Sequence, residues 1–289
     1  MSGLIPLPEN SAAQVARLKT DFGFVAIVAS EIEFYLHGSD DCAALADFWN
    51  EVKAACAAQN IGIFKIEKEK GREQHEVALM PAAPEKSARD ADILKTIIAD
   101  AAARFNMRAD FSARPFADQP GSGLHIHVHL ENEKGERAYY KKDAVISDAL
   151  KFSIGGLLAW LPDSMAIFAP HAASYQRFVA GSHAPLTVSW GANNRTVAIR
   201  LPDADPHMKR IEHRVAGSDA DPEAVIAVIL AAIHDGLRNK TEPGAQIYGD
   251  ASLSHYGLPV FPLSLEKALE LHRNSLKLAA HQDMQKTHI

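Results

Sequence analysis

Cysteine is nearly absent from this chain: Cys42 and Cys56 are the only two among 289 residues. Both fall in the alanine-rich stretch 42–58, which reads as an amphipathic helix, so no disulfide framework is expected and a reducing cytoplasm suits the chain. Long apolar runs are missing too. The longest, Ala224–Ile233, falls well short of the roughly 20 residues that cross a bilayer, and no basic start with an apolar run opens the chain. Neither a membrane span nor a leader is therefore expected. There is no surplus of positive charge: the net charge of −6 gives no general attraction to nucleic acid or anionic lipid, so each basic residue is read as individually placed. Internal repeats, low-complexity linkers and a strong domain boundary are also lacking, and one domain over residues 1–289 is expected, with residues 1–22 as a short N-terminal extension. No Gly-x-x-x-x-Gly-Lys-Ser/Thr motif occurs, which excludes a P-loop as the holder of any phosphate. What remains, 47% hydrophobic and 23% charged residues, is the composition of a globular protein with a large core.

Strand-like runs, marked by alternation or β-branched content, lie at Phe24–Leu36, Gly62–Glu67, His75–Met80, Gly123–Glu131, Leu186–Trp190, Thr196–Leu201 and Arg210–Val215. Helices are expected between them. Ser39–Asp41 offers a cap for a helix with Leu45, Phe48, Trp49, Val52 and Cys56 on its apolar face; Ser87-Ala-Arg-Asp90 resembles a capping box before Ile93, Leu94, Ile97 and Ile98. Further helices are read over Ala144–Trp160, over Glu223–Leu237 after an Asp221-Pro222 start, and over Leu265–Leu276. The mixed order, with no regular βαβ alternation, predicts an α+β fold with a largely antiparallel sheet.

Gly121-Ser-Gly-Leu-His-Ile-His-Val-His-Leu130 turns a glycine pair into a strand with three histidines at alternate positions. His125, His127 and His129 then share one face, and Ile126, Val128 and Leu130 the other. Glu31-Ile-Glu33 sets two carboxylates on one strand face about 7 Å apart. Alone, that pair could equally be a solvated strand end. Glu69-Lys-Gly-Arg-Glu-Gln-His-Glu76 adds carboxylates around a glycine-containing loop, and Arg210-Ile-Glu-His-Arg214 puts Glu212 beside two arginines on its own face. Glutamate oxygens with one or two imidazoles favour Mg²⁺ or Mn²⁺, whereas zinc usually takes more His or Cys. Arg177, Arg195, Arg200, Arg210 and Arg214 recur in strand-like segments near Asn193-Asn194, and planar guanidinium groups fit phosphate or carboxylate bidentately. Phosphate chemistry with divalent ions is one reading. A zinc hydrolase built on His125-x-His127 is another, which the glutamate-rich partners fit poorly.

The chain resembles the catalytic domain of glutamine synthetases. The resemblance is carried, in the family's order, by Glu31-Ile-Glu-Phe-Tyr-Leu36, Gln74-His-Glu-Val-Ala-Leu79, Gly121-Ser-Gly-Leu-His-Ile-His127, Ser174-Tyr-Gln-Arg-Phe-Val179, Ala184-Pro185, Ser189-Trp-Gly191, Asn194-Arg-Thr-Val-Ala-Ile-Arg-Leu-Pro202 and Arg210-Ile-Glu-His-Arg214. These motifs span Phe24 to the helix ending near Leu237. The resemblance implies a glutamine-synthetase/guanido-kinase-like catalytic domain of α+β class, its curved, largely antiparallel sheet backed by helices. It implies Glu33, Glu69 and Glu76 as ligands of a first Mg²⁺ or Mn²⁺, and Glu31, His125 and Glu212 as ligands of a second. It places His127, Arg195 and Arg200 at ATP phosphates, Arg214 at the reacting carboxylate and transferred phosphoryl group, Gly121 and Arg177 at the amino-acid substrate, and His183 in the flap that closes the site. The family phosphorylates a side-chain carboxylate with ATP and lets an amine attack the acyl phosphate, so an ATP-dependent carboxylate–amine ligase is expected, with small-molecule substrates and assembly as a homo-oligomer.

Departures from the family bear on the substrate. Only thirty residues precede Glu31, too few for the small β-grasp domain that in the family completes a neighbouring subunit's site and supplies an aspartate to the amine. Pro120 stands where the family has an asparagine that holds glutamate, and proline has no side-chain hydrogen bond to offer. His183 stands where a flap glutamate attracts ammonium, and an imidazole would not attract it as a carboxylate does. Asp221-Pro-Glu223 replaces the family's Asn-Pro-Tyr. The expectation is therefore a truncated relative that joins a carboxylate, such as glutamate, to an amine other than ammonia. A phosphotransferase without amine transfer and a non-catalytic nucleotide-binding regulator stand as alternatives.

Overall fold

The computed structural model describes residues 7–38, 42–140, 146–182 and 184–280. In chain order its elements are α1 (Ser11–Phe22), β1 (Phe24–His37), α2 (Cys42–Ala58), β2 (Ile63–Lys68), β3 (Gln74–Leu79), α3 (Pro84–Arg104), β4 (Arg108–Asp110), β5 (Leu124–Asn132), α4 (Asp148–Phe168), β6 (Trp190–Ala192), β7 (Ile199–Leu201), β8 (Ile211–His213), α5 (Pro222–Asn239), α6 (Leu265–Asn274) and α7 (Leu276–Ala280). The strands form one sheet in the order β2-β3-β1-β5-β8-β7-β6, with β4 added alongside β1 beyond the end of β5. Every pairing is antiparallel except β6 with β7. The α+β expectation holds.

Period-two alternation decides which face the helices cover. Ala26, Val28, Ile32, Phe34 and Leu36 of β1 and Leu124, Ile126, Val128 and Leu130 of β5 are fully or nearly fully buried and join one core cluster with Leu94 and Ile98 of α3 and Ile226 and Leu230 of α5. The other face of the same strands carries Glu31, Glu33, His125 and His127. Helices α4 and α5 cross at glycines: a Cβ on Gly156 would lie 2.0 Å from the Ala232 carbonyl oxygen, and one on Gly236 2.3 Å from that of Phe152.

Several boundaries differ from the sequence reading. The extension expected over residues 1–22 is a docked helix from Ser11 onward, capped by the Asn10 side chain and ended by Gly23 at φ +69°. Its anchor explains Glu223. That carboxylate accepts the Ser11 N–H at 2.7 Å and the Ser11 hydroxyl at 2.9 Å, so it holds the start of α1 against the start of α5. Helix α3 begins at Pro84, not after a box at Ser87, because proline pre-sets the first helical φ; the Ser87 hydroxyl instead meets that of Ser30 at 3.0 Å. Helix α4 starts after Ser147, whose oxygen accepts the Leu150 N–H, and passes Pro162 to reach Phe168, since burial of Leu161, Met165 and Phe168 outweighs one lost backbone bond. The last expected helix is broken at Ser275 into α6 and α7. Residues 186–190 supply only the start of β6, the rest of the segment pairing through the single Thr187–Val260 bridge. The cap at Ser39–Asp41 lies outside the described residues.

Candidate functional site

The register of the sheet assembles the site in rungs. Glu67, Glu76 and Glu33 stand side by side across β2, β3 and β1; Glu31 faces His125 across β1 and β5; His127, Glu212 and Arg200 continue across β5, β8 and β7. Glu31, His125 and Glu212 bring one ligand atom each within 4.8 Å of one another, and so do Glu33, Glu76 and His125. His125 therefore belongs to both groups. Its Nδ1 lies 3.6 Å from Glu31, 4.0 Å from Glu33 and 3.9 Å from Glu212. These separations are too long for hydrogen bonds. They fall between the about 3 Å of neighbouring and about 4.2 Å of opposite ligand atoms around an ion with 2.1 Å bonds. Carboxylate oxygens with a single imidazole fit Mg²⁺ or Mn²⁺ better than zinc. Glu69, in the loop between β2 and β3, lines the cavity beside these groups and stands outside both of them.

Electrostatics distinguish the carboxylates. Burial pushes the Glu76 carboxyl up, and Glu31, Glu33, Glu69 and Glu67 push it further, to about 9. Burial and Glu33 likewise raise Glu69. Burial would raise Glu212 as well, but Arg214 and the two histidines hold it at about 2. Glu212, 1% exposed, bonds Arg200 Nη1 at 2.7 Å through one oxygen and Arg214 Nη1 through the other. For Glu31 burial is outweighed by His127 and His125, which keep it far below the usual carboxylate range. The raised Glu76 and Glu69 carboxyls mark a crowding of negative charge that a cation would relieve.

His127 links two parts of the site. Arg210 Nε donates to its Nδ1 at 3.2 Å, which leaves Nε2 to donate to Glu31 at 2.7 Å. Of the two arginines flanking Glu212 in sequence, Arg214 bonds it and Arg210 bonds His127; Arg200 completes the clamp. Arg177 is 3% exposed, its Nη atoms donate to the backbone oxygens of Val215 and Arg214, and among the described residues it has no carboxylate within 4 Å. Burial lowers it to about 10. Arg195 is exposed at the cavity rim, and His183 lies outside the described residues. Gly121 sits where no side chain fits, since a Cβ would lie 2.6 Å from the Ala113 oxygen and 2.7 Å from Arg177 Cγ.

Two cavities open on this face. The first, about 380 Å³, has Glu33, Glu67 and Glu69 on one side and Arg177, Arg195 and Arg214 on the other, with Gln74, Gly121 and His125 between them. The second, about 220 Å³, is lined by Ile27, Ala29, Leu79 and Pro81, with Glu31 and His127 in its wall and Phe64 and Met208 as additional lining. Glu31 and His127 adjoin Glu33 and His125 along the same two strands, so the cavities share a boundary. The sequence reading assigned no role to Gln74, Tyr35, Phe64 or Met208. Alternation could have found the first two, because Gln74 shares a face with Glu76 and Tyr35 with Glu33.

A carboxylate–imidazole centre flanked by arginines on an open, largely antiparallel sheet is of the kind that handles divalent cations and phosphate groups. The chain matches the family described as glutamine synthetase, catalytic domain, over residues 37–287, and it belongs to that family. Among curated relatives it is 41% identical over 180 residues to gamma-glutamylputrescine synthetase PuuA of Escherichia coli (strain K12), covering 62% of this chain and 38% of that protein. It is 30% identical over 286 residues to glutamine synthetase of Pyrococcus abyssi (strain GE5 / Orsay), covering 91% and 65%. It is 28% identical to glutamate–isopropylamine ligase of Pseudomonas sp over 93% of this chain and 64% of that one. The chain thus spans about two fifths to two thirds of the length of these relatives. Solved structures share the fold: apo GmaS without ligand superposes with a TM-score of 0.84 at 25% identity over 94% of this chain and 68% of the other. GmaS in complex with ADP gives 0.82 at 24% identity over 96% and 71%.

Proposed function

We propose that this chain carries the site of an ATP-dependent ligase that joins glutamate, through a side-chain acyl phosphate, to an amine other than ammonia. The observation that carries the reading is His125 Nδ1 facing three carboxylates at 3.6–4.0 Å between a mixed-charge cavity and a more apolar one. Glu31, His125 and Glu212 would hold one Mg²⁺ or Mn²⁺, and Glu33, Glu76 and, from its loop, Glu69 the other. Bound there, the two ions neutralise phosphate charge during transfer. The second cavity suits the nucleotide: its apolar lining, with Phe64 and Met208, takes the base, and His127 in its wall, with Arg200 on Glu212 and Arg195 at the rim of the first cavity, would receive the phosphates where the two cavities meet.

The first cavity suits the acceptor. Arg177, a buried cation with no carboxylate within 4 Å among the described residues, takes the substrate α-carboxylate beside the backbone of Gly121. Arg214 steadies the side-chain carboxylate as its oxygen attacks the γ-phosphorus and ADP leaves, and it steadies the phosphoryl oxygens after transfer. The bound ammonium first gives one proton to a cavity carboxylate, Glu67; the freed nitrogen lone pair then forms the C–N bond as the acyl C–O bond to phosphate breaks, and the second N–H proton passes to the departing phosphate. Glu33, Glu67 and Glu69 line this cavity together with Lys68 and Lys70, and Glu67, which neither ion uses, is the carboxylate that faces a protonated amine. Two relatives named for organic amines, gamma-glutamylputrescine synthetase PuuA and glutamate–isopropylamine ligase, support an amine larger than ammonia.

The test incubates the purified chain with ATP, Mn²⁺ and L-glutamate, alone and with ammonia, putrescine or isopropylamine. Phosphate release that requires glutamate and rises at least ten-fold with an organic amine, together with the amide product by mass spectrometry, is expected. Tight ATP binding without turnover under any pairing would overturn the ligase reading in favour of a regulator, and amine-independent release of ADP would replace it with a phosphotransferase.

A further inference from the structure

Gln74 and Tyr35 stand directly opposite each other on β3 and β1, on the face that carries the carboxylates. Gln74 is 2% exposed, and its amide spans two segments: its oxygen accepts the Gly71 N–H at 3.0 Å, and its nitrogen donates to the Gly121 carbonyl at 3.1 Å. The first segment is the loop that bears Glu69, itself fixed by the Glu69 N–H to the Gln74 carbonyl at 2.8 Å. The second is the turn that lines the acceptor cavity. Tyr35 donates its hydroxyl to the Pro120 carbonyl at 2.8 Å, which ties the same turn to β1. Space enforces the arrangement, because a Cβ on Gly71 would lie 2.2 Å from the Tyr35 hydroxyl and 2.7 Å from the Gln74 oxygen. A side-chain amide offers an acceptor and a donor at the same tip, as the opposed backbone groups require.

We infer that Gln74 is a positioning residue that couples the Glu69 loop to the Gln119–Gly121 turn, so that cation binding at the carboxylates orders the turn where the substrate carboxylate docks. The inference rests on the metal-dependent reading given above for the cation, and on the hydrogen bonds alone for the link. Coupling of this kind is reciprocal: a ligand that orders the turn tightens the cation to the same degree. Gly123 is a built-in control, since its N–H donates straight to Glu33 at 2.6 Å and bypasses Gln74.

Amide hydrogen exchange, read by NMR on the full chain with and without Mg²⁺, tests it in wild type, Gln74→Met, Gln74→Leu and Tyr35→Phe. In wild type, Mg²⁺ is expected to slow exchange at Gly71, Arg72, Ser122 and Gly123 by roughly three- to ten-fold, the scale of one hydrogen bond; the Ser122 N–H, which donates to the Ala113 carbonyl at 2.8 Å, belongs to the peptide whose carbonyl Gln74 holds. In the Gln74 variants Gly123 keeps its response, and so does Arg72, whose N–H reaches the Gln119 side chain at 3.1 Å without Gln74, while Ser122 loses its own. Tyr35→Phe, which leaves the amide bridge in place, retains the response at Ser122. An undiminished Mg²⁺ response at Ser122 in both Gln74 variants would sink the coupling. If wild type shows no Mg²⁺ response anywhere, the metal reading fails, and the link is judged on metal-free exchange alone: Gln74→Met must still speed exchange at Gly71 and Ser122, and equal rates would overturn it.

Discussion

Glu212 is the residue whose loss should be felt most widely, because two guanidinium groups depend on its two oxygens. Glu212→Gln leaves Arg200 and Arg214 partly uncompensated in a buried setting and should destabilise the fold by about 3 kcal/mol or more, measured by urea denaturation, in addition to weakening Mn²⁺ binding. Its neighbour His213 points to the opposite, core face, against the Phe168 ring at 4.5 Å. Burial, with His125 and Arg177, holds His213 at about 3, below its ordinary 6.5. The unfolded chain therefore binds the extra proton, and the stability that the neutral ring contributes is complete above pH 6.5 and lost as pH falls toward about 3. His213→Leu should flatten the acid limb of a stability–pH curve over that window, and an unchanged slope would refute this. From sequence, alternation put Glu212 on the polar face, but not which arginines would reach it: Arg200 comes from another strand, and its partner is set by the β7–β8 register.

At the level of elements, α4 and α5 approach each other through glycines with no room for a side chain. A Cβ on Gly156 would meet the Ala232 oxygen at 2.0 Å, and no side chain lies between to give way. Gly156→Ala, which on an exposed helix would be favourable, should here cost about 1–3 kcal/mol through forced separation of the helices, read as a lowered midpoint in urea. Long strands with strict alternation, such as β1 and β5, were legible in the sequence to within a residue or two. Elements whose existence depends on a distant partner were not. Helix α1 buries Leu18 in the core and is pinned through Glu223 and His234, both more than 200 residues away; the three-residue β4 exists only because the end of β1 outruns β5. The glutamates and His125 could be named from spacing and resemblance. The separation of Glu69 from the tight groups, and the Gln74 bridge, depend on loop geometry that periodicity does not encode.

Across the whole molecule, the acidic cluster ties stability to cations. With Glu76 raised to about 9, the folded metal-free chain binds a proton that the unfolded chain releases near 4.5, so this group's contribution to stability falls as pH rises between those values. A divalent ion bound among these carboxylates, as proposed above, would displace that proton. Mn²⁺ should therefore raise Tm more at about pH 8.5 than at about pH 6, and calorimetry in buffers of different ionisation heat should register proton release on binding. A Tm increment independent of pH would contradict the surplus of carboxylates. The sheet also sets a distance. His125 lines the mixed-charge cavity and His127 the more apolar one, two residues apart on β5, a step of about 7 Å. The span between the two compartments is thus a pitch of the backbone, which no rotamer change can lengthen. Insertion of one residue between His125 and His127 would turn one of them into the core, and insertion of two would keep both faces while doubling the step. A change of length within this strand would therefore alter both compartments at once.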